Sequence, residues 1–301
     1  MLTMIMIMVP RASVSATRIN EVLDSVNPVV DKASALAFDE EVKSIDFKDI
    51  TFYFPNASKP ALESISFSAK KGEFVAIVGG TGSGKSTLIH LLPRLFDTTE
   101  GAISINGKNI KDLKIETLRK KIGFVPQKAQ LFSGTIKENI LYGAEDSSAQ
   151  NIEEAARIAQ ATEFINGKEN GFDSEVEQDA ANFSGGQKQR LSIARAIARK
   201  PEIYIFDDSF SALDFKTDAI LRRELRKVTR DSIVFIVAQR IGTIMDADRI
   251  IVLDEGRIAG IGKHEDLLKS CEVYKDIAIT QLSEEELALD YTMKKLGLTE
   301  V

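Results

Sequence analysis

The chain has 301 residues, 44% of them hydrophobic and 28% charged, with a formal net charge of −6. This is a globular composition, with length for two domains of roughly 150 residues each, and the acid surplus argues against a general nucleic-acid partner. One cysteine, Cys271, and two histidines, His90 and His264, exclude an internal disulfide and a multi-cysteine metal site, and nearly exclude a histidine-based one.

The first element is apolar. Met1 to Val9 contains only Thr3 as a polar residue, but a membrane span needs about 20 such residues. There is no clear basic start or small-residue cleavage site of a signal peptide. Beyond Pro10, residues Ile19, Val22 and Leu23 recur at helical spacing. Two readings stand: an N-terminal helix with a sticky face, or the cytoplasmic end of a membrane helix. Asn27 to Val42, with Pro28 among scattered Asp, Glu and Ser, reads as a linker.

Ile45 to Phe54 alternates as a strand does, and Ile65 and Phe67 continue the pattern after an Asn-Ala-Ser turn. Phe74 to Val78 is a short continuous apolar run, the pattern of a buried parallel strand. It leads into Gly79-Gly80-Thr81-Gly82-Ser83-Gly84-Lys85-Ser86-Thr87, which matches G-x-x-x-x-G-K-[ST] and is followed by helical apolar spacing. The spacing has a chemical reason. Glycines let backbone N–H groups close around phosphates, and the following helix N-terminus faces the anion. Lys85 adds a positive charge and the Ser86 hydroxyl is placed to ligate Mg2+. These residues predict a nucleoside-triphosphate site.

Ser184 and Gln187, in Asn182-Phe183-Ser184-Gly185-Gly186-Gln187, form an S-x-x-Q capping box that predicts a helix starting at Ser184. Gly185 and Gly186 would let a phosphate approach its positive end. The apolar strand Ile203 to Phe206 then ends in Asp207-Asp208. Asp207 would hold Mg2+ through water, and Asp208 would sit beside the attacking water. Another strand, Ile233 to Val237, is followed by Gln239, and residues 283–301 read as a charged helical tail.

The order GGTGSGKST, VPQ, NFSGGQKQR, IYIFDD, SALD resembles the nucleotide-binding domain of ATP-binding cassette (ABC) transporters from about Lys43 to Leu282. PRASVSATRINEVLD resembles the end of the last transmembrane helix of ABC exporters, which favours the second reading of the N-terminus. The resemblance implies an α/β P-loop NTPase fold with a RecA-like mixed sheet core, an antiparallel β subdomain and a helical subdomain at about 128–200. It divides the chain into residues 1–42, 43–282 and 283–301. It also implies ATP and Mg2+ as ligands, with Phe54 stacking on adenine, Gln127 joining Ser86 and Asp207 at the metal, and Ser211 to Asp214 forming a loop at a dimer interface. One chain's P-loop and its partner's Ser184-Gly185-Gly186-Gln187 would enclose each ATP, with the pair at the cytoplasmic face of the membrane beneath a transmembrane domain.

Two departures refine this. Asp208 stands where the family has its catalytic glutamate, which draws the carboxylate back by roughly 1.5 Å. General-base catalysis worth roughly 10²–10⁴-fold depends on that reach. Gln239 stands where the family has its switch histidine; an amide still hydrogen-bonds the γ-phosphate but cannot become cationic. Before Ser184-Gly185-Gly186-Gln187, the family's signature, Gln178 and Ala180 replace the common Glu and Gly. With Lys85, Asp207 and the signature intact, the reading is an ATPase subunit whose own site is impaired. It would pair with a different chain carrying the intact glutamate and histidine. A nucleotide-gated binding module and a stand-alone importer ATPase are the alternatives. His90 reads as a packing residue.

Overall fold

The computed structural model describes residues 2–25 and 27–281; the expected tail at 283–301 lies outside the described residues. The chain divides into two units at Val30/Asp31. The first contains helix α1, Leu2–Leu23, with Pro10 inside it. Among the described residues no helix is long and apolar enough to cross a membrane.

The second unit opens with β1 (Ser44–Phe52), β2 (Leu62–Lys70), β3 (Phe74–Gly79) and α2 (Lys85–Leu91), followed by β4 (Glu100–Ile105), β5 (Lys108–Asn109) and α3 (Ile115–Lys120). Next come β6 (Ile122–Val125), β7 (Gly134–Thr135), α4 (Ile136–Leu141), α5 (Ala149–Ile158), α6 (Thr162–Asn166) and β8 (Glu175–Val176). The signature helix α7 spans Gly185–Ala198, and β9 (Ile203–Asp207), α8 (Phe215–Val228) and β10 (Ile233–Val237) follow. The last elements are β11 (Arg249–Asp254), β12 (Arg257–Gly262), α9 (His264–Ser270) and α10 (Glu272–Gln281).

Two main sheets result. One has strand order β2-β1-β4-β5, all antiparallel; the other runs β12-β11-β3-β10-β9-β6, parallel except for the edge strand β12. The continuous apolar runs form the buried centre of the second sheet, because both of its faces are covered. Alternate residues therefore enter opposite cores. Val75, Ile205 and Phe235 pack with Phe47 and Ile65 of the antiparallel sheet, while Ala76, Phe206 and Ile236 pack with Ile140, Ala155 and Leu191 of the helical part.

The second half of the stretch expected to be a linker is docked. Phe38 and Val42 are fully buried in the core beneath the antiparallel sheet. The Phe38 N–H donates to Thr117 Oγ1 at 3.1 Å, and Leu36 bridges Leu113. Two anchors do not set a repeating pattern by themselves, and Pro28 with the scattered Asp, Glu and Ser is why composition reads this stretch as loose.

Candidate functional site

Parallel strands place their C-terminal ends on one edge of the sheet, where α/β folds bind ligands. Here β3, β6, β9 and β10 end at Gly79, Val125, Asp207 and Val237. The register sets Val237 beside Asp207 on one side and Ile77 on the other, and Val125 beside Phe206. The P-loop, Gln127, Asp208 and Gln239 thus begin from neighbouring strand ends, although they lie far apart in sequence.

Gly84 caps α2 in the left-handed region, at φ 96°, and supplies no side chain to the N–H groups of the first turn. A Cβ at Gly84 would meet Leu62 Cδ2 at 2.7 Å and the Ala61 carbonyl at 2.8 Å; one at Gly79 would meet the Leu253 carbonyl at 2.1 Å. Gly80 and Gly82 have open space. The Lys85 ammonium is folded back into its own loop, donating to the carbonyls of Gly79 and Gly80 at 2.9 and 2.6 Å. Burial lowers its pKa below the usual lysine range, opposed by the charges of Asp208 and Asp207. Thr81 and Gly82 are exposed, Ser83 is buried and Thr87 is half-buried.

Ser86 Oγ donates to Asp207 Oδ1 at 2.8 Å. A hydroxyl beside a carboxylate is an all-oxygen pair, the donor type Mg2+ takes, and that ion normally completes its octahedron with waters and substrate phosphate. Among the described residues no group of three or more His, Cys, Asp or Glu could hold a metal by itself. The pair therefore fits an ion shared with a phosphate ligand. His90 enters this pair as well: its Nε2 lies 3.4 Å from Asp207 Oδ2, while its ring meets Phe124 edge-on. Its position four residues after Ser86, on the same face of α2, is the signal that a reading as packing alone overlooks.

Asp208 is 7% exposed and holds a left-handed backbone, φ 46°. Its Oδ2 accepts from Gln127 Nε2 at 3.2 Å and from Gln239 Nε2 at 2.9 Å. Burial raises the carboxyl pKa; the hydrogen bonds from Gln127 and Ser211 pull it down, and the Asp207 charge pushes it up again. Gln127 therefore meets Asp208, rather than the Ser86–Asp207 pair where it was expected.

The remaining predicted residues stand apart from this cluster. The capping box at α7 is present in both directions: Ser184 Oγ accepts from the Gln187 N–H at 3.3 Å, and Gln187 Oε1 accepts from the Ser184 N–H at 3.0 Å. Ser184 and Gly185 are exposed and form no hydrogen bond with the P-loop among the described residues. A Cβ at Gly185 would meet nothing within 4 Å, whereas one at Gly186 would lie 3.1 Å from the Ala212 carbonyl. Ala180 holds the left-handed region at φ 51°, where a glycine would be unstrained. Phe54 is 40% exposed, backed edge-on by Phe52 and Phe96, and the neighbouring Tyr53 is exposed to a similar degree.

Comparison with known proteins gives a consistent picture. The ABC transporter family profile matches residues 62–211. An uncharacterized ABC transporter ATP-binding protein of Mycobacterium tuberculosis is 44% identical over 288 residues, 93% of this chain and 49% of the relative. Another, of Bacillus subtilis, is 44% identical over 275 residues, 91% of this chain and 47% of the relative. The chain thus spans about half the length of the curated relatives it matches. A solved structure of a bacterial Atm1-family ABC exporter with ATP bound superposes with a TM-score of 0.84 at 35% identity, covering 91% of this chain and 48% of that one.

Proposed function

The cassette is an ABC transporter ATP-binding domain, and from that premise we propose that it serves an export transporter as the subunit whose own P-loop lines a slowly hydrolysing ATP site. The observation that carries this reading is the capture of the Asp208 carboxylate by two amides, Gln127 and Gln239. A carboxylate one methylene short, engaged by a side chain that cannot take up a proton, is a poor general base for an attacking water. ATP binding has no such handicap: Lys85, the P-loop backbone and the Ser86–Asp207 pair are all in place.

In this reading the phosphates lie over the start of α2, Lys85 leaves its loop carbonyls for them, and Phe54 offers an aromatic face to the base. Ser86 and Asp207 would hold Mg2+, which when bound would neutralise charge on the phosphates. The Ser184-Gly185-Gly186-Gln187 segment at the start of α7 completes the competent ATP site on a partner chain that carries the glutamate and histidine. The assembly works beneath a transmembrane domain at the cytoplasmic face of the membrane. The likeness to a solved ABC exporter supports the placement beneath a transmembrane domain.

The test is steady-state Mg-ATP hydrolysis by the purified chain against protein concentration, with ATP binding measured in parallel. Binding without appreciable turnover, partly restored by Asp208→Glu with Gln239→His, supports the impaired site. Robust turnover rising with the square of concentration would mean a competent homodimer and end the reading. A nucleotide-gated module is its limiting case, in which turnover at this site is negligible and binding alone closes the pair.

A further inference from the structure

Helix α10 carries Tyr274, Ala278 and Gln281 at i, i+4 and i+7, which puts them on one face. The first two are fully buried, and the Tyr274 hydroxyl lies 2.7 Å from His264 Nδ1 on α9, so the helix has a fixed seat. That face ends at the loop following β10. There Gln281 Nε2 donates to the Gln239 carbonyl at 2.6 Å, and Gln281 Oε1 accepts from the Ile241 N–H at 2.8 Å.

A primary amide carries a donor and an acceptor side by side, so it matches a backbone that offers a C=O at 239 and an N–H at 241. Ile241 is fully buried and starts a short 3-10 turn. Gln239 is consequently fixed from two directions: its main chain by α10, and its exposed side chain by Asp208.

We propose that Gln281 is a positioning residue for the segment 239–241, setting where the Gln239 amide stands toward the γ-phosphate of a bound ATP. The proposal rests on the reading of Gln239 as a γ-phosphate contact. It gives α10, far along the chain from the P-loop, a direct mechanical hold on the nucleotide site.

The experiment is hydrogen exchange on the full chain, following a peptide covering 238–246, combined with ATP and ADP affinities for wild type, Gln281→Ala and Gln281→Glu. Losing one hydrogen bond should speed exchange at 241 by about two- to tenfold in Gln281→Ala, with amides around Tyr274 unchanged. Gln281→Glu keeps the acceptor, so 241 stays protected; its carboxylate repels the 239 carbonyl, so the side chain above it still shifts. Both variants should lower ATP affinity relative to ADP by a similar factor, because ADP lacks the γ-phosphate. If α10 itself loosens in Gln281→Ala, the Gln281→Glu result decides. Unchanged exchange at 238–246 in Gln281→Ala overturns the clamp. Faster exchange with an unchanged ATP-to-ADP ratio overturns the positioning role. Failure of the wild type to bind either nucleotide sinks the underlying site reading instead.

Discussion

Gln239 Nε2 donates to Asp208 Oδ2 at 2.9 Å, so the two departures from the ABC pattern that lie at the strand ends are bonded to one another. Gln127 shares the same carboxylate oxygen. The two departures therefore act as one unit: an acceptor and the amide that fills it.

A double-mutant cycle of Asp208→Ala and Gln239→Ala should give a coupling of about 1 kcal/mol in urea unfolding, the scale of one hydrogen bond with an exposed partner. Strict additivity would mean the bond contributes nothing to the fold in solution.

The P-loop glycines are not equivalent. Gly84→Ala forces a left-handed residue against the Ala61 carbonyl and Leu62, and should cost about 2 kcal/mol or more. Gly80→Ala has open space and an ordinary backbone, and should fold within about 0.5 kcal/mol of wild type. Thermal unfolding of the two variants checks this; equal melting temperatures would contradict it.

Among the described residues Gly185 has no neighbour that forbids a side chain. Gly185→Ala should leave unfolding unchanged within about 0.5 kcal/mol, yet reduce ATP turnover at the partner's site when the two chains are combined. A loss of stability with turnover intact would remove this turn from the composite site.

Asp214 caps α8, accepting from the Thr217 N–H at 2.9 Å and from its hydroxyl at 2.7 Å. These bonds hold its pKa below the ordinary 3.8. The sign follows directly: the contribution is fully present above 3.8 and is lost as pH falls through the depressed folded value. Asp214→Asn keeps a capping oxygen and has no charge to lose. Its melting temperature should therefore fall less steeply than that of wild type between roughly pH 5 and pH 2. Parallel acid limbs would show that the cap does not couple to protonation.

Much of the site can be read from the residues alone. The apolar run before Gly79 marks β3, the run before Asp207 marks β9, and S-x-x-Q marks the start of α7, because strand burial, phosphate cradling and helix capping each leave a local pattern. The departures at 208 and 239 are also visible there, as residue types. Their bond is not, and neither are the bond from Gln127 to Asp208, the approach of His90 to Asp207, the docking of Phe38, or the grip of Gln281 on the loop at 239–241.

The reason is physical. Periodicity reports whether a residue faces the core or solvent over a few neighbours, and motif spacing reports chemistry that one turn of chain can build. The meeting of side chains from β6, β9 and β10 depends on strand order β3-β10-β9-β6 and on the register that sets Val237 beside Asp207. Those are long-range pairings of backbone. The sequence by itself determined a phosphate-binding cassette and its inventory of side chains; only the tertiary structure decided which of them hold one another.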